Sequence, residues 1–373
     1  MCQHSQPIVS CETLHPNGRL PIRADESEIF TIARQRSKVM YEMELKTMKP
    51  ACLSCIFLIT IFFDVIAAEY DGICINEILA SNASTYLEPN RNNFSDWIEL
   101  YNAGDRSIDL RGCYLSDDPA NLQQARILTR TVIEPKQCLL IWADGQRIRG
   151  HVEFALKPQN EMVSLVSPDG ERINTVYYHR QFPDISYGRQ PDGSSNWVYF
   201  SDPTPASANP MDGIPWPVRA QPPRFSVPAG FYERRVIVEL ASLFPNTEIR
   251  YTLDGSIPMR ESTLYEQPIR LFTTTVIRAR AFEPDRLPSE TITKTYFISA
   301  SHTLPVVSIA TAPANFWDDQ IGIYVTGKNG VTGYCSDTRK NWNQDWERPI
   351  HLEFFESDGA LGFHLDAGTK IFG

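Results

Sequence analysis

The sequence predicts a mainly β chain: tandem β-sandwich modules of immunoglobulin-like kind, followed by an incomplete α+β segment. Three observations carry that reading. Short runs of alternating apolar and polar residues recur at regular spacing, with turn residues between them, as in a sandwich. Twenty-seven prolines, fifteen tyrosines and nineteen phenylalanines favour strands and stiff joints over long helices. The 373 residues exceed one ordinary core and correspond to about two or three domains.

Composition narrows the function classes. Hydrophobic content of 42% with 21% charged residues is that of folded, water-facing material rather than of a disordered chain. A net charge of −10 argues against a nucleic-acid partner, which requires a basic footprint.

The chain opens with residues 1–47, of mixed charge and no periodicity, read as an unstructured or misassigned leader. Residues 48–68 follow as a signal peptide: Lys49 supplies a positive start, Ala51 to Phe63 is apolar, and Val65-Ile66-Ala67-Ala68 offers small residues for cleavage. The run is shorter than the ~20 apolar residues a membrane span needs. Export to a cell surface, periplasm or extracellular space follows, with no membrane attachment beyond that signal. Cys74, Cys113 and Cys138 then become candidates for a disulfide in an oxidising compartment, with buried free thiols as the alternative. Cys52-Leu53-Ser54-Cys55 lies within the signal run, where redox or metal spacing is coincidental.

Residues 70–209 form the first expected sandwich. Its strands are Ile73 to Ile78, Trp97 to Asn102, Cys138 to Trp142, Met162 to Val166 and Ile173 to Tyr178, with Ile98 and Leu100 facing in. Asp144-Gly145 and Pro168-Asp169-Gly170 are turns. The blocks Asn76-Glu77-Ile78, Asp96-Trp97-Ile98-Glu99-Leu100-Tyr101-Asn102 and Leu110-Arg111-Gly112-Cys113-Tyr114-Leu115 resemble a bacterial lamin-tail domain. Ser186-Tyr187-Gly188-Arg189, Trp197 and Thr204-Pro205-Ala206-Ser207-Ala208-Asn209 match its closing pattern. The resemblance implies a β-sandwich that serves as an interaction module rather than an enzyme. The Asn/Arg-rich loop from Tyr86 to Asn93 departs from it, and carries the sequons Asn82-Ala83-Ser84 and Asn93-Phe94-Ser95 at its edges, on a loop expected to be exposed.

Residues 210–222, rich in proline, read as a stiff extended linker. Residues 223–299 read as a smaller β module, in which Val236, Val238 and Leu240 alternate, as do Ile277, Ala279 and Ala281. Tyr251-Thr252-Leu253-Asp254-Gly255-Ser256 supplies a tight turn, with Gly255 free to take a positive φ. With Ile277-Arg278-Ala279-Arg280-Ala281-Phe282, that block resembles the fibronectin type III-like module at the C-terminus of chitobiases, an accessory unit without a catalytic centre.

In residues 300–373, Trp346-Glu347-Arg348-Pro349 precedes a strand whose Ile350, Leu352 and Phe354 share one face. Ser357-Asp358-Gly359 is a turn, and Ala367 to Gly373 begins another strand. This order resembles the opening of a CotH-type kinase-like domain, whose phosphate-handling residues would lie further on.

Candidate chemistry is sparse. Gly327-Lys328-Asn329-Gly330 lacks the ending of a P-loop and reads as a flexible hairpin loop. Asp117-Asp118 and Asp318-Asp319 offer too few oxygens for calcium and read as turns or caps. Glu347 and Arg348 suit a partly buried ion pair. Trp317, Trp342 and Trp346 are the candidate ligand surface, an aromatic platform for a glycan. No catalytic residue, metal ligand or cofactor-binding residue is assigned, and no cofactor is expected. The expected function is that of an exported, non-enzymatic interaction protein with a protein or cell-envelope glycan partner, its modules enclosing no reaction pocket. The alternatives are the N-terminal fragment of a secreted CotH-type kinase and an extracellular carbohydrate-binding protein.

Overall fold

The computed structural model describes residues 69–333 and 336–372. The leader, the signal peptide and Cys335 lie outside the described residues. From Glu69 onward the chain forms one compact unit, built almost wholly of strands. No helix among the described residues is long and apolar enough to cross a membrane.

The first module holds β1 (Ile73–Leu79), β2 (Asp96–Asn102), β3 (Ile108–Asp109), β4 (Tyr114–Ser116), β5 (Ala125–Arg126), β6 (Val132–Ile133), β7 (Cys138–Ala143), β8 (His151–Val152), β9 (Glu161–Val166), β10 (Arg172–Tyr178), β11 (Ser186–Arg189) and β12 (Trp197–Phe200). Two sheets stack, in the orders β12-β11-β1-β2-β7-β8 and β10-β9-β4-β5. Ile75, Ile98, Leu100, Leu115, Val163 and Leu165 are fully buried in its core, each contributing about 1.5–3 kcal/mol by leaving water.

The outer face of the six-stranded sheet is also covered, which alternation alone did not foresee. Leu79, Trp97 and Trp142 pack together there, and Tyr86 stacks on Trp142 at 5.8 Å. A bulge at Asn76 brings Glu77 directly opposite Glu99, and both are fully buried. The strap 204–209 covers them. Ser186 and Thr204 hydroxyls donate to Glu77, while Asn76 and the Ala206 N–H donate to Glu99 at 3.0 and 2.7 Å.

Cys74, Cys113 and Cys138 are free thiols. Cys74 and Cys138 both pair with Tyr101, from opposite sides of β2. Two strand spacings, about 9.5 Å, separate them, beyond disulfide reach. A Cys74–Cys138 bridge is therefore out of reach.

The linker is stitched down rather than merely extended. Ile214 exchanges backbone hydrogen bonds with Tyr199 at 2.8 Å and joins Phe182, Ile185, Tyr199 and Leu287 in a small shared core. Val218 and Ala220 bond Leu287 of the next module.

That module holds β13 (Arg224–Phe225), β14 (Gly230–Tyr232), β15 (Val236–Val238), β16 (Leu240–Ala241), β17 (Glu248–Thr252), β18 (Thr263–Leu264), β19 (Ile269–Leu271), β20 (Thr275–Phe282) and β21 (Ile292–Ile298). A five-stranded sheet, β14-β21-β20-β17-β18, faces the pairs β15-β19 and β13-β16. Val238, Ile277, Ala279 and Tyr296 fill the space between. Arg278 and Arg280, on the alternate positions of β20, point to the opposite face.

The last segment holds β22 (Val306–Ala310), α1 (Pro313–Trp317), β23 (Val331–Gly333), β24 (Ser336–Lys340), a short 3-10 turn (Asn341–Asn343), β25 (Arg348–Phe355) and β26 (Leu361–Thr369). β25 is the centre of the sheet β22-β25-β26. Ile350 is buried as expected, but beyond it the buried face is the reverse of the expected one. His351, Glu353 and Phe355 are buried against the second module, where Thr295 donates to Glu353 and Phe355 meets Phe231 and Phe297 edge-on at 5.7 and 5.3 Å. Leu352 and Phe354 stay half-exposed, because a neighbouring module, not a core of the segment's own, decides which face is covered.

Gly255 sits at this joint. Its φ is +88°, and an added Cβ would stand 2.4 Å from the Thr311 carbonyl oxygen. Gly255→Ala is expected to lower stability by about 1–3 kcal/mol, through both the left-handed backbone and the clash. Urea unfolding checks it; an unchanged midpoint would contradict the joint as described.

Candidate functional site

The loop from Tyr86 to Asn93 is folded around a buried carboxylate. Glu88 is fully buried and accepts from the backbone N–H of Asn90 at 2.9 Å and of Arg91. His151, held by Asp144 through Nδ1 at 3.0 Å, packs beside Glu88 with its Nε2 3.6 Å away and no hydrogen bond between them. Asn82 is buried, its amide donating to the Tyr86 and Ser95 carbonyls at 2.6 and 2.8 Å. The first sequon is therefore not on an exposed loop.

This loop is the seat of the tryptophan block. Trp346 is buried, and its indole N–H donates to the Arg91 carbonyl. Arg348 is fully buried; its guanidinium donates to Asn92 O at 2.7 Å, to Ile321 O at 3.0 and 2.9 Å, and to Glu347 O at 3.1 Å. It also lies 4.9 Å over Trp346 and 5.7 Å over Phe94. No carboxylate pairs with it among the described residues, and burial pushes it down to about 10. The expected Glu347–Arg348 ion pair is thus a set of carbonyl contacts, because Glu347 turns outward toward Gly368.

The aromatic platform does not assemble. Trp317 is 58% exposed and meets Tyr324 edge-on at 5.2 Å, Trp342 lies under the Lys340 ammonium at 4.7 Å, and Trp346 is consumed by the joint. Nor is the glycine-rich loop loose. Gly327 abuts Asn341, and Lys328 bonds Asp319 through both backbone and side chain. Asp318 receives the N–H groups of Gln320 and Ile321 at 2.8 and 3.0 Å, closing a turn.

A half-open cleft of about 850 Å³ lies where the first module, linker, second module and last segment meet. Arg278 and Arg280 of β20 face it, as do Arg219 from the linker and Phe94 from the loop. Thr311, Ala312 and Asp366 belong to the opposite wall. Arg278 spends two groups on Thr293 Oγ1 and Gly255 O, at 3.1 and 2.9 Å. Arg280 spends its Nε on Ser289 O at 2.8 Å. Burial first, then the nearby charge of Arg219, pushes Arg280 down to about 10. Asp184 is already occupied, accepting from the Ala83 and Ser84 N–H groups and the Ser84 hydroxyl. Asp366 is held by His351 at 2.7 Å, which keeps its carboxyl below the usual range. Among the described residues no group of three or more His, Cys, Asp or Glu could hold a metal ion. Sequence reasoning missed the cleft because its walls come from segments distant in the chain. The one legible sign was two arginines spaced two apart on a strand.

Comparison with known proteins supports the two module assignments. Residues 67–180 match the Lamin Tail Domain model, and residues 238–296 match the Fn3 associated model. The first sheet continues beyond the matched region through β11 and β12. No curated protein matches the chain. Among solved structures, the crystal structure of murine CEACAM1b is similar at 10% identity over 61% of this chain and 99% of that one, with a TM-score of 0.18. That likeness is too loose to carry an argument. The chain thus carries a lamin-tail module and a fibronectin III-like module in tandem.

Proposed function

We propose that this chain is an exported interaction protein that binds a protein or cell-envelope glycan partner and carries out no catalysis itself. The observation behind this reading is the cleft: three modules are locked by buried contacts into one concave surface, with apolar Phe94, Ile257 and Met259 beside unpaired arginine donors. Binding sites have that mixture of apolar wall and few directed polar groups. Ala312→Trp, which fills the cleft from its rim, tests it. Retention of the chain on peptidoglycan, chitin or an envelope protein should fall sharply in the variant. Equal retention by both chains would remove the cleft from the function.

One observation favours a second reading, the N-terminal part of a secreted CotH-type atypical kinase. The outer face of the last sheet is an apolar grid in register: Val307, Phe354 and Phe363 in one row, Ile309, Leu352 and Leu365 in the next. Val307, Ile309, Phe363 and Leu365 are each 43–50% exposed. A folded domain seldom leaves such a face bare. Genomic DNA that continues in frame past the Gly373 codon, with a Ser-Arg stretch, paired lysines and then acidic metal ligands, would favour this reading over the first; an immediate stop would favour the first.

A further inference from the structure

The geometry points to a binding site for a tetrahedral oxyanion, the phosphate or sulfate ester group of a small ligand, on the arginine floor of the three-module cleft. This rests on reading the chain as a binding protein and names the chemistry of its cleft. Arg278 and Arg280 stand on the same face of β20, two residues apart, and Arg219 is held beside them by the bridge between Arg219 and Leu287. None of the three forms an ion pair among the described residues, although each is at least partly buried. Gathering like charges out of water is costly unless a counter-charge fills the space between.

The neighbouring carboxylates supply only part of that counter-charge: Asp366 acts on Arg278, Glu290 on Arg219 and Asp184 on Arg280 through space, and none bonds an arginine directly. Asp184 faces its own N–H donors, Asp366 faces His351, and Glu290 stays exposed at the rim. The hydrogen bonds already made fix the planes of the guanidinium groups while leaving donors open. Arg278 uses Nε and Nη1, so Nη2 remains; Arg280 uses only Nε, so both terminal nitrogens remain. Preset guanidinium forks suit the several oxygens of a phosphate or sulfate far better than a single chloride. Ile257 and Met259 line the same cleft and would take the apolar part of the esterified molecule.

Isothermal titration of the full chain with inorganic phosphate, inorganic sulfate and acetate, at matched ionic strength in a chloride background, tests the inference. Phosphate or sulfate should bind at least about tenfold more tightly than acetate, and Arg280→Gln should weaken that binding about tenfold, the loss of one charge-assisted hydrogen bond. Arg147→Gln, which removes an exposed arginine paired to Glu153, should leave it unchanged. Arg219→Gln gives the same reading from the linker should Arg280→Gln fail to fold. Tighter phosphate identifies a phosphoester ligand, and tighter sulfate a sulfoester. Neither anion binding above chloride, or equal losses in Arg280→Gln and Arg147→Gln, would overturn the site. Envelope binding that persists in that case would leave the broader binding role standing.

Discussion

Arg348→Gln should release the last segment from the first module and cost about 3–5 kcal/mol. Arg348 is fully buried and gives hydrogen bonds to three carbonyls, those of Asn92, Ile321 and Glu347. Glutamine is shorter and cannot span Asn92 and Ile321 together. Each carbonyl left dry and unpaired costs about 1–3 kcal/mol, and the cation–π contacts with Trp346 and Phe94 are lost as well. Limited proteolysis should then cut the Tyr86–Asn93 loop, which the parent protects. A variant with parental protection and melting temperature would show that this arginine is not the link between modules.

The second large effect concerns the buried carboxyls under the strap. Burial pushes Glu77 up to about 8, the Ser186 hydrogen bond opposing it, and pushes Glu99 up to about 7. A carboxyl with a raised folded pKa stabilises the fold in its protonated form. That stability is fully present below about pH 4.5, the unfolded value, and is lost as pH rises through 7 to 8. Glu77→Gln mimics the protonated acid. It should match the parent near pH 4 and exceed it at pH 8.5, by on the order of 5 kcal/mol at most. Urea midpoints measured from pH 4 to pH 9 give the difference directly. A variant less stable than the parent at high pH would mean that Glu77 is held ionised.

Much of the architecture was legible in the chain. Alternation placed most of the long strands of the first two modules to within a residue or two, β21 being the one it missed, and Gly255 takes the positive φ its turn required. What could not be read was which second faces are covered. Glu99 alternates with Ile98 and Leu100 and so reads as outward, yet the Thr204–Asn209 strap buries it. His351 and Glu353 read as a solvent face, yet Thr295 and Phe297 of another module cover that side. The same cause hid the cleft. Arg219, Arg278 and Arg280 come from two segments, and their convergence depends on how β20 and the linker pack. Trp346 misled in the opposite sense: a large aromatic in a polar block suggested a ligand surface, and the loop at Arg91 claims it.

The central claim is that the lamin-tail module, the fibronectin III-like module and the last segment form one body around the cleft. Differential scanning calorimetry of the chain tests it most directly. A single transition is expected, with the calorimetric enthalpy equal to the van't Hoff enthalpy. Separate transitions for the modules, each unaffected by Arg348→Gln, would contradict it.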